Sequence, residues 1–317
     1  MKLLGFIGGL SFFLFGMNIM ETGLKRISGN KIKNKLKNVS NNPIKGVIFG
    51  TIITAIAQSS SAVSVSLIGM SEAGLITFSQ SVYIIMGANI GTSTTAWIIS
   101  LSDLSGKIVF LKLLNISTLY PVIGFIGVMF IILSKNYKKN NAGQIMVGFS
   151  LLMSAIEIMS SAMESIVNLS FFNNFIKTIN NPFWGVLIGL FLSAVIQSSS
   201  ASIGILQSLS QTASISVSAA VPIILGTNIG TCATALLACI SGSSESKKIC
   251  AFHIIFNLSG SFLWLIGFFI ISGIYNLNIN INSLGISAIH TLFNISTTAL
   301  MFPAVLKFNK FSQTANG

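Results

Sequence analysis

The sequence predicts an all-α polytopic membrane protein built from two homologous repeats, and three observations lead to this prediction. Only 8% of the 317 residues are charged and 52% are hydrophobic, whereas roughly a quarter of the residues of a soluble domain are charged. The mean hydropathy is +0.83, and the apolar residues form runs that approach the length of about 20 residues needed to cross a bilayer. Finally, polar motifs recur at a constant offset of 139 residues.

The charged residues are distributed as in a membrane protein. The net charge of +12 comes from 18 Lys and Arg against 6 Asp and Glu, and the basic residues cluster in short loops, such as the seven from Lys25 to Lys45. Loops of this kind usually lie on the cytoplasmic side. The pattern predicts a lipid bilayer as partner and excludes a soluble enzyme, a nucleic-acid-binding module and a disordered chain. The spacing of Cys232, Cys239 and Cys250 predicts neither a transition-metal site nor a disulfide framework, and we expect no cofactor.

Nine apolar stretches account for most of the chain. Five are uninterrupted and predict full spans at 3–23, 108–133, 143–166, 250–274 and 284–306. The first run is about 18 residues long and lacks a small-residue cleavage site, so we expect a retained helix rather than a signal peptide. The other four stretches each carry a polar motif near the middle: 44–71, 75–101, 183–209 and 215–240.

The internal repeat is gapless over its best-matched part. Residues 41–100 and 180–239 are identical at 26 of 60 positions, and chance similarity between apolar helices does not align polar motifs in this way. The repeats are predicted at about 1–140 and 141–275, followed by a last helix at 284–306, and together they form one transmembrane domain, 1–317.

The number of crossings in each repeat decides the relative orientation of the two repeats. Three crossings give inverted repeats and four give parallel repeats. Both arrangements place 14 basic residues on the cytoplasmic side, but four crossings leave the neighbouring Lys135, Lys138 and Lys139 outside. The positive-inside rule therefore favours inverted repeats and a cytoplasmic C-terminus.

The first paired motif is Gln58-Ser59-Ser60-Ser61, which recurs as Gln197-Ser198-Ser199-Ser200. Unpartnered polar groups that face lipid cost several kcal/mol each, so non-helical backbone at this depth lines a cavity or is buried in protein. Two copies in register predict paired re-entrant hairpins that meet near the membrane midplane. A helix that begins at such a break offers amide donors and hydroxyls to an oxyanion. The alternative is that the serines only pack between close helices.

The second paired motif runs from Gly87 to Thr92 and from Gly226 to Thr231. Glycine permits a helix to break there, and the oxygens of Asn and Thr with freed backbone carbonyls suit a cation such as Na⁺. The sequence therefore predicts a broken helix in each repeat. The alternative is close glycine-mediated packing of helices with a hydrogen-bonded Asn.

Together, the two paired motifs resemble the type II sodium-dependent phosphate cotransporter family, and the resemblance covers essentially the whole chain. It implies Na⁺-coupled transport of inorganic phosphate by alternating access, with Na⁺ as the coupling ion, and no enzymatic activity. It also implies which residues line the two sites. The phosphate-site residues are Gln58, Ser59, Ser60, Ser61, Gln197, Ser198, Ser199 and Ser200, and the Na⁺-site residues are Gln58, Asn89, Thr92, Gln197, Asn228 and Thr231.

The chain departs from the family in two respects. Many bacterial members carry a C-terminal helical domain of the PhoU type, and this sequence stops at Gly317 without one. Animal members have a long extracellular loop between the halves, where this chain has a short linker. We expect a multi-pass protein of the cytoplasmic membrane of a prokaryote, and predict no oligomeric state. The alternatives are a Na⁺-coupled transporter of another oxyanion or small carboxylate, and a non-transporting membrane scaffold.

Three further polar residues lie within apolar runs. Glu157 is a candidate functional carboxylate, because ionisable residues inside the membrane are rare, although a paired structural contact is the alternative and its counterpart is Asn18. His253 and His290 are each followed by Asn four residues later. This spacing favours an interhelical hydrogen-bond patch over the Ser–His dyad of an intramembrane protease.

Overall fold

The computed structural model describes residues 2–37, 42–101, 116–164, 179, 181–213, 215–240 and 242–315. Twelve helices are described: α1 Lys2–Lys37, α2 Pro43–Ala57, α3 Ser60–Glu72, α4 Phe78–Ser100, α5 Ile116–Leu133, α6 Tyr137–Glu164, α7 Pro182–Ile196, α8 Ser199–Thr212, α9 Val217–Gly230, α10 Cys232–Cys239, α11 Ser244–Ile274 and α12 Ser283–Ala315. The fold class is confirmed as all-α with two repeats. The first part of the predicted span 108–133 and the end of 143–166 lie outside the described residues.

Within the described residues, six segments are long and apolar enough to cross a membrane, by length and composition: Leu4–Ile27, Phe78–Ser100, Tyr137–Ala162, Val217–Cys239, Ser244–Ile274 and Ser283–Lys307. The chain is therefore a multi-pass membrane protein. The segments Phe78–Ser100 and Val217–Cys239 are mostly buried inside the protein. These two central spans carry the second paired motif, so that motif lies inside the helix bundle in each repeat.

Each Gln-Ser-Ser-Ser motif lies at the turn between two short helices. The α2–α3 pair has 15 and 13 residues, and the α7–α8 pair has 15 and 14 residues. At about 1.5 Å per residue, none of these helices spans the roughly 30 Å hydrocarbon core. Gly46 lies against Tyr83 and Gly91 lies against Thr51, so α2 runs parallel to α4. The intervening α3 therefore runs back, and the pair forms a hairpin, as predicted.

The contact between α1 and α6 shows that the repeats are inverted. Gly9 packs against Met159, and Gly148 packs against Met20. The offset of 139 makes Gly9 the counterpart of Gly148, and Met20 the counterpart of Met159. The two contacts are therefore equivalent and are related by a pseudo-two-fold axis. Residue numbers run in opposite directions along the two helices, since Gly23 lies against Asn141, and equivalent helices are therefore antiparallel.

The predicted helix break at the second motif is wrong for the first repeat, because α4 continues without interruption from Phe78 to Ser100. In the second repeat the helix divides only at Thr231, whose φ and ψ of −59° and −25° are still helical. The glycines serve close packing instead. A Cβ atom on Gly87 would overlap the backbone of Val47, and one on Gly226 would overlap that of Val186.

The last two long helices hold α4 through buried amide groups. Asn257 on α11 accepts a hydrogen bond from Asn89 Nδ2 at 3.0 Å. Asn294 on α12 donates from Nδ2 to Ser93 Oγ, also at 3.0 Å. The predicted interhelical hydrogen-bond patch is confirmed for these two asparagines. Because Asn89 and Ser93 lie one turn apart on α4, α11 and α12 contact the same face of that helix.

Candidate functional site

The turn in each hairpin has the same backbone geometry. Gln58 has φ 53° and Gln197 has φ 58°, and these are the only non-glycine residues with positive φ among those described. A left-handed conformation costs a residue with a side chain about 1–2 kcal/mol. Strained backbone of this kind persists where the surrounding structure imposes it, often at functional sites. Its presence at both equivalent positions indicates a constraint shared by the two repeats.

The serine that follows each Gln caps the next helix. Ser59 Oγ accepts a hydrogen bond from Ala62 N at 3.1 Å, and Ser198 Oγ accepts one from Ala201 N at 3.2 Å. The next two residues of each motif open α3 and α8. Their backbone N–H groups have no acceptor within the helix, because the first amides of a helix precede its hydrogen-bonded turns. Each turn therefore presents free amides and serine hydroxyls together.

Both turns line one cavity of about 200 Å³. Its wall contains all eight residues of the paired motifs, Gln58, Ser59, Ser60, Ser61, Gln197, Ser198, Ser199 and Ser200, together with Leu14, Met17 and Asn18 of α1. We call this space the serine cavity. At about 30 Å³ per water molecule, it has room for roughly six waters. The structure thus brings together every predicted phosphate-site residue, although the motifs are 139 residues apart.

The serine cavity is polar but carries no formal charge on its lining residues. Its positive potential comes from the amino ends of α3 and α8, each equivalent to about half an elementary charge. Such helix ends bind anions through amide hydrogen bonds. The arrangement is therefore suited to binding an oxyanion through neutral hydrogen-bond donors.

The two turns differ in exposure. The Gln58 side chain is only 6% exposed; its Oε1 accepts a hydrogen bond from Thr95 Oγ1 at 2.8 Å, and its Nε2 donates to the carbonyl of Ala55. The Gln197 side chain is exposed. The first turn is thus fixed to α4, whereas the second turn faces open space, and the cavity is asymmetric although the repeats are equivalent.

The predicted Na⁺-site residues of the second motif do not line the serine cavity. Their side chains are buried and make hydrogen bonds within or between helices. Thr92 Oγ1 donates to Ala88 O at 3.0 Å, and Thr231 Oγ1 donates to Thr227 O at 2.8 Å. Asn228 Nδ2 donates to Ile224 O at 2.9 Å, and Asn89 bonds to α11 as described above. A role for Asn89, Thr92, Asn228 and Thr231 in binding Na⁺ stays a prediction.

Sequence reasoning missed the contribution of α1 to the cavity. Leu14, Met17 and Asn18 lie in an apolar run that shows no motif. The signal that could have found Asn18 is its register, because it is the counterpart of Glu157 and is itself a polar residue within a span. For Glu157, the paired contact given above as the alternative is observed, since Tyr120 Oη donates to Glu157 Oε2 at 2.5 Å; a functional role stays a prediction.

Two buried histidines lie elsewhere in the bundle. His253 and His290 are 1% and 0% exposed, and none of their ring nitrogens has a hydrogen-bond partner among the residues that the structure describes. Neither histidine lines the serine cavity. The Ser–His dyad of a protease therefore gains no support from these residues.

A comparison with protein families finds two matches in the chain. The family described as Na⁺/Pi-cotransporter matches residues 12–161 and again residues 151–290. The double match agrees with the internal repeat, and together the two matches cover most of the chain.

Several curated proteins are similar to the chain. The uncharacterized protein YqeW of Bacillus subtilis is 32% identical over 259 residues, which is 81% of this chain and 80% of that protein. The protein named "Putative inorganic phosphate export protein YjbB" of Escherichia coli is 24% identical over 84% of this chain, but the chain covers only 47% of it. Human sodium-dependent phosphate transport protein 2B is 28% identical over 40% of this chain and 19% of its own length. No solved structure matches the chain.

Proposed function

Since the chain belongs to the Na⁺/Pi-cotransporter family, we propose that it transports inorganic phosphate across the cytoplasmic membrane, coupled to Na⁺, by alternating access. One observation carries this proposal more than any other. The two equivalent serine turns, from repeats of opposite orientation, line the same small cavity. A single central site between inverted repeats is the arrangement that many alternating-access transporters use.

Phosphate binds, in this proposal, between the amino ends of α3 and α8. The free amides of Ser60 and Ser61 and those of Ser199 and Ser200 point their donors toward the anion, and the hydroxyls add further donors. Hydrogen bonds to a charged group contribute about 1.5–3 kcal/mol each. Ser59 and Ser198 hold the two helix ends in place as caps. Each repeat supplies half of the site.

Na⁺ provides the missing positive charge. No Lys or Arg lines the serine cavity, and moving a phosphate out of water without a counter-charge is costly. A Na⁺ held by neutral oxygens near the turns makes the combined site closer to neutral. The amide oxygens of Gln58 and Gln197 are candidates, and so are the oxygens of Asn89, Thr92, Asn228 and Thr231. Phosphate and Na⁺ therefore bind cooperatively.

The direction of transport follows from the ion gradients and not from the fold. Human protein 2B is named as a sodium-dependent phosphate transport protein, whereas YjbB is named as an export protein. We propose that an inward Na⁺ gradient drives phosphate uptake. We also propose that the C-terminus lies in the cytoplasm. Competition by arsenate, sulfate or succinate distinguishes phosphate from another oxyanion or a small carboxylate as the substrate.

The test is uptake of radiolabelled phosphate into proteoliposomes, with an inward gradient of NaCl compared with choline chloride. We expect uptake that depends on Na⁺ and that falls strongly in Ser60→Ala and in Ser199→Ala. The matched control is Ser66→Ala, because Ser66 lies on α3 but its hydroxyl donates to the carbonyl of Ala62 outside the serine cavity. Absence of phosphate flux in folded, reconstituted protein would contradict the proposal. Equal uptake by all three variants would show that the serine cavity is not the site.

A further inference from the structure

The pseudo-two-fold axis gives the α1 wall of the serine cavity a counterpart on α6. Leu14, Met17 and Asn18 line the cavity. At the offset of 139, the counterpart of Asn18 is Glu157, and the counterparts of Leu14 and Met17 are Met153 and Ile156. An operation that exchanges the repeats therefore places a carboxylate where the cavity now has an amide.

Asn18 and Glu157 lie on opposite sides of the centre of the α1–α6 pair. Asn18 lies toward the end of α1 where Gly23 packs against Asn141, and Glu157 lies toward the other end, where Gly5 packs against Ala162. On the α1 wall, Leu14 is 36% exposed and Asn18 is exposed, whereas Met17 is 9% exposed. The α6 wall is closed, since Met153 and Ile156 are 1% and 0% exposed. The serine cavity is lined by these α1 residues and by none of α6, and from this we infer that it opens on the Asn18 side.

Glu157 is on the other side, in a separate groove of about 690 Å³ that also contains Tyr120, Ser154 and Ser161. Its side chain is exposed. Tyr120 donates a hydrogen bond to Glu157 Oε2. Among the described residues, no basic side chain pairs with Glu157, because the one ion pair there joins Lys248 and Glu245. An anionic carboxylate within a membrane span needs a compensating cation or water. The groove supplies hydroxyl oxygens beside that carboxylate, and these are ligands suited to Na⁺.

We propose that Glu157 is a Na⁺-binding carboxylate, which lines the serine cavity when the protein faces the opposite side. This inference rests on the proposed alternating access, because exchange of the two repeats brings the Glu157 wall to the hairpin turns. In that state phosphate lies near a negative charge, so its binding depends on a Na⁺ at Glu157. In the state of this structure the equivalent position is neutral Asn18. The two faces of the transporter therefore differ in their dependence on Na⁺.

The size of the difference follows from Coulomb's law. A negative charge about 10 Å from phosphate, in an effective dielectric constant of about 20, weakens the binding of phosphate by about tenfold or more. The residues available to neutralise Glu157 within the groove are uncharged, so Na⁺ makes the contribution. With the loop from Lys25 to Lys45 in the cytoplasm, the Glu157 face is the external one.

The first experiment measures the KM for phosphate at low Na⁺ concentration, separately from each side. Intact cells report the external face and inside-out vesicles report the cytoplasmic face. Because Gln removes the negative charge near phosphate, we expect Glu157→Gln to lower this KM about tenfold in cells and to change it less than twofold in vesicles. Glu245→Gln is the control, because Glu245 pairs with Lys248 in an exposed contact. An equal effect at both faces, or no effect at either, would overturn the proposal.

A second experiment does not depend on which anion is carried. Met153→Cys is made in a chain that also carries Cys232→Ala, Cys239→Ala and Cys250→Ala, and its labelling by a membrane-impermeant thiol reagent is followed. We expect Na⁺ to change the labelling rate, and Glu157→Gln to remove that change. A labelling rate that does not change with Na⁺ when Glu157 is intact would contradict the proposal that Glu157 binds Na⁺. A Na⁺ effect without any phosphate flux would retain the cation site and reject phosphate as the substrate.

Discussion

Gln58 accepts a hydrogen bond from Thr95 at 2.8 Å, whereas the equivalent residues Gln197 and Thr234, both in the described part of the chain, form no such bond. Thr234 is the counterpart of Thr95, and its hydroxyl donates to the backbone of Thr231 at 3.1 Å. The first turn is thus tied to the central helix α4, and the second is not tied to α10. In a protein with inverted repeats, a difference between equivalent contacts marks which side the central site faces. We infer that the Gln58–Thr95 bond belongs to the state in which the cavity opens on the Asn18 side.

Replacing Thr95 with Val should destabilise the protein more than the same change at Thr234. Thr95→Val leaves the buried Gln58 oxygen without its donor, which costs about 1–3 kcal/mol. Thr234→Val removes only a hydrogen bond to a neighbouring carbonyl on the same helix. The thermal midpoint of the purified protein in detergent measures both effects. A larger loss for Thr234→Val would mean that the Gln58–Thr95 bond contributes little to this state.

Much of the architecture could be predicted from the sequence. The constant offset paired Gln58 with Gln197, and the structure places both in one cavity. The offset could not predict how the two glutamines differ in burial and hydrogen bonding. Nothing in the identical motifs distinguishes a Gln that is 6% exposed from one that faces open space, since the difference arises from how the two hairpins pack. Asn18 escaped detection because one amide in an apolar helix has no local pattern.

The glycine motif shows why local composition misled the prediction. A Gly-x-Asn-Ile-Gly-Thr segment is compatible with an unwound helix or with two helices in close contact. Val47 on the neighbouring helix, far along the sequence, decides between them, because its backbone lies where a side chain at Gly87 would be. A contact between residues distant in sequence is not visible from one motif.

Gly87→Ala should therefore destabilise the protein strongly. The added methyl group would meet the backbone of Val47, which cannot move aside as a flexible side chain could, and overpacking of this kind costs about 1–3 kcal/mol or more. The control is Gly267→Ala, because Gly267 is in a helix and an added Cβ there meets no atom within 4 Å. Helix propensity makes that change stabilising by roughly 0.5–1 kcal/mol. Thermal unfolding of the two variants in detergent tests the difference, and equal midpoints would argue against the close approach of α2 and α4.

The left-handed turn predicts an unusual order of stability at Gln197. Gln197→Gly and Gln197→Ala remove the same amide group, but only Ala keeps the cost of about 1 kcal/mol for positive φ. The Gly variant should therefore be the more stable of the two. At Val195, an exposed helical position on α7, the order should reverse, because Gly is less favourable than Ala in a helix by about 1 kcal/mol. Midpoints of thermal unfolding for the four variants check both orders, and the same order at both sites would show that Gln197 is not left-handed.

A carboxylate at the N-cap of α8 should impair anion binding without impairing folding. Ser198→Asp should leave the protein folded, because Asp caps helices as well as Ser does and interacts favourably with the helix dipole. The same carboxylate borders the serine cavity and repels phosphate, so we expect the KM for phosphate to rise more than about tenfold. Ser216→Asp is the matched control, since Ser216 caps α9 by accepting from Ala219 N at 3.2 Å and lies outside the serine cavity. Thermal midpoints and phosphate uptake, measured on both variants, decide the outcome. Normal uptake by a folded Ser198→Asp variant would exclude the amino end of α8 as the place where the anion binds.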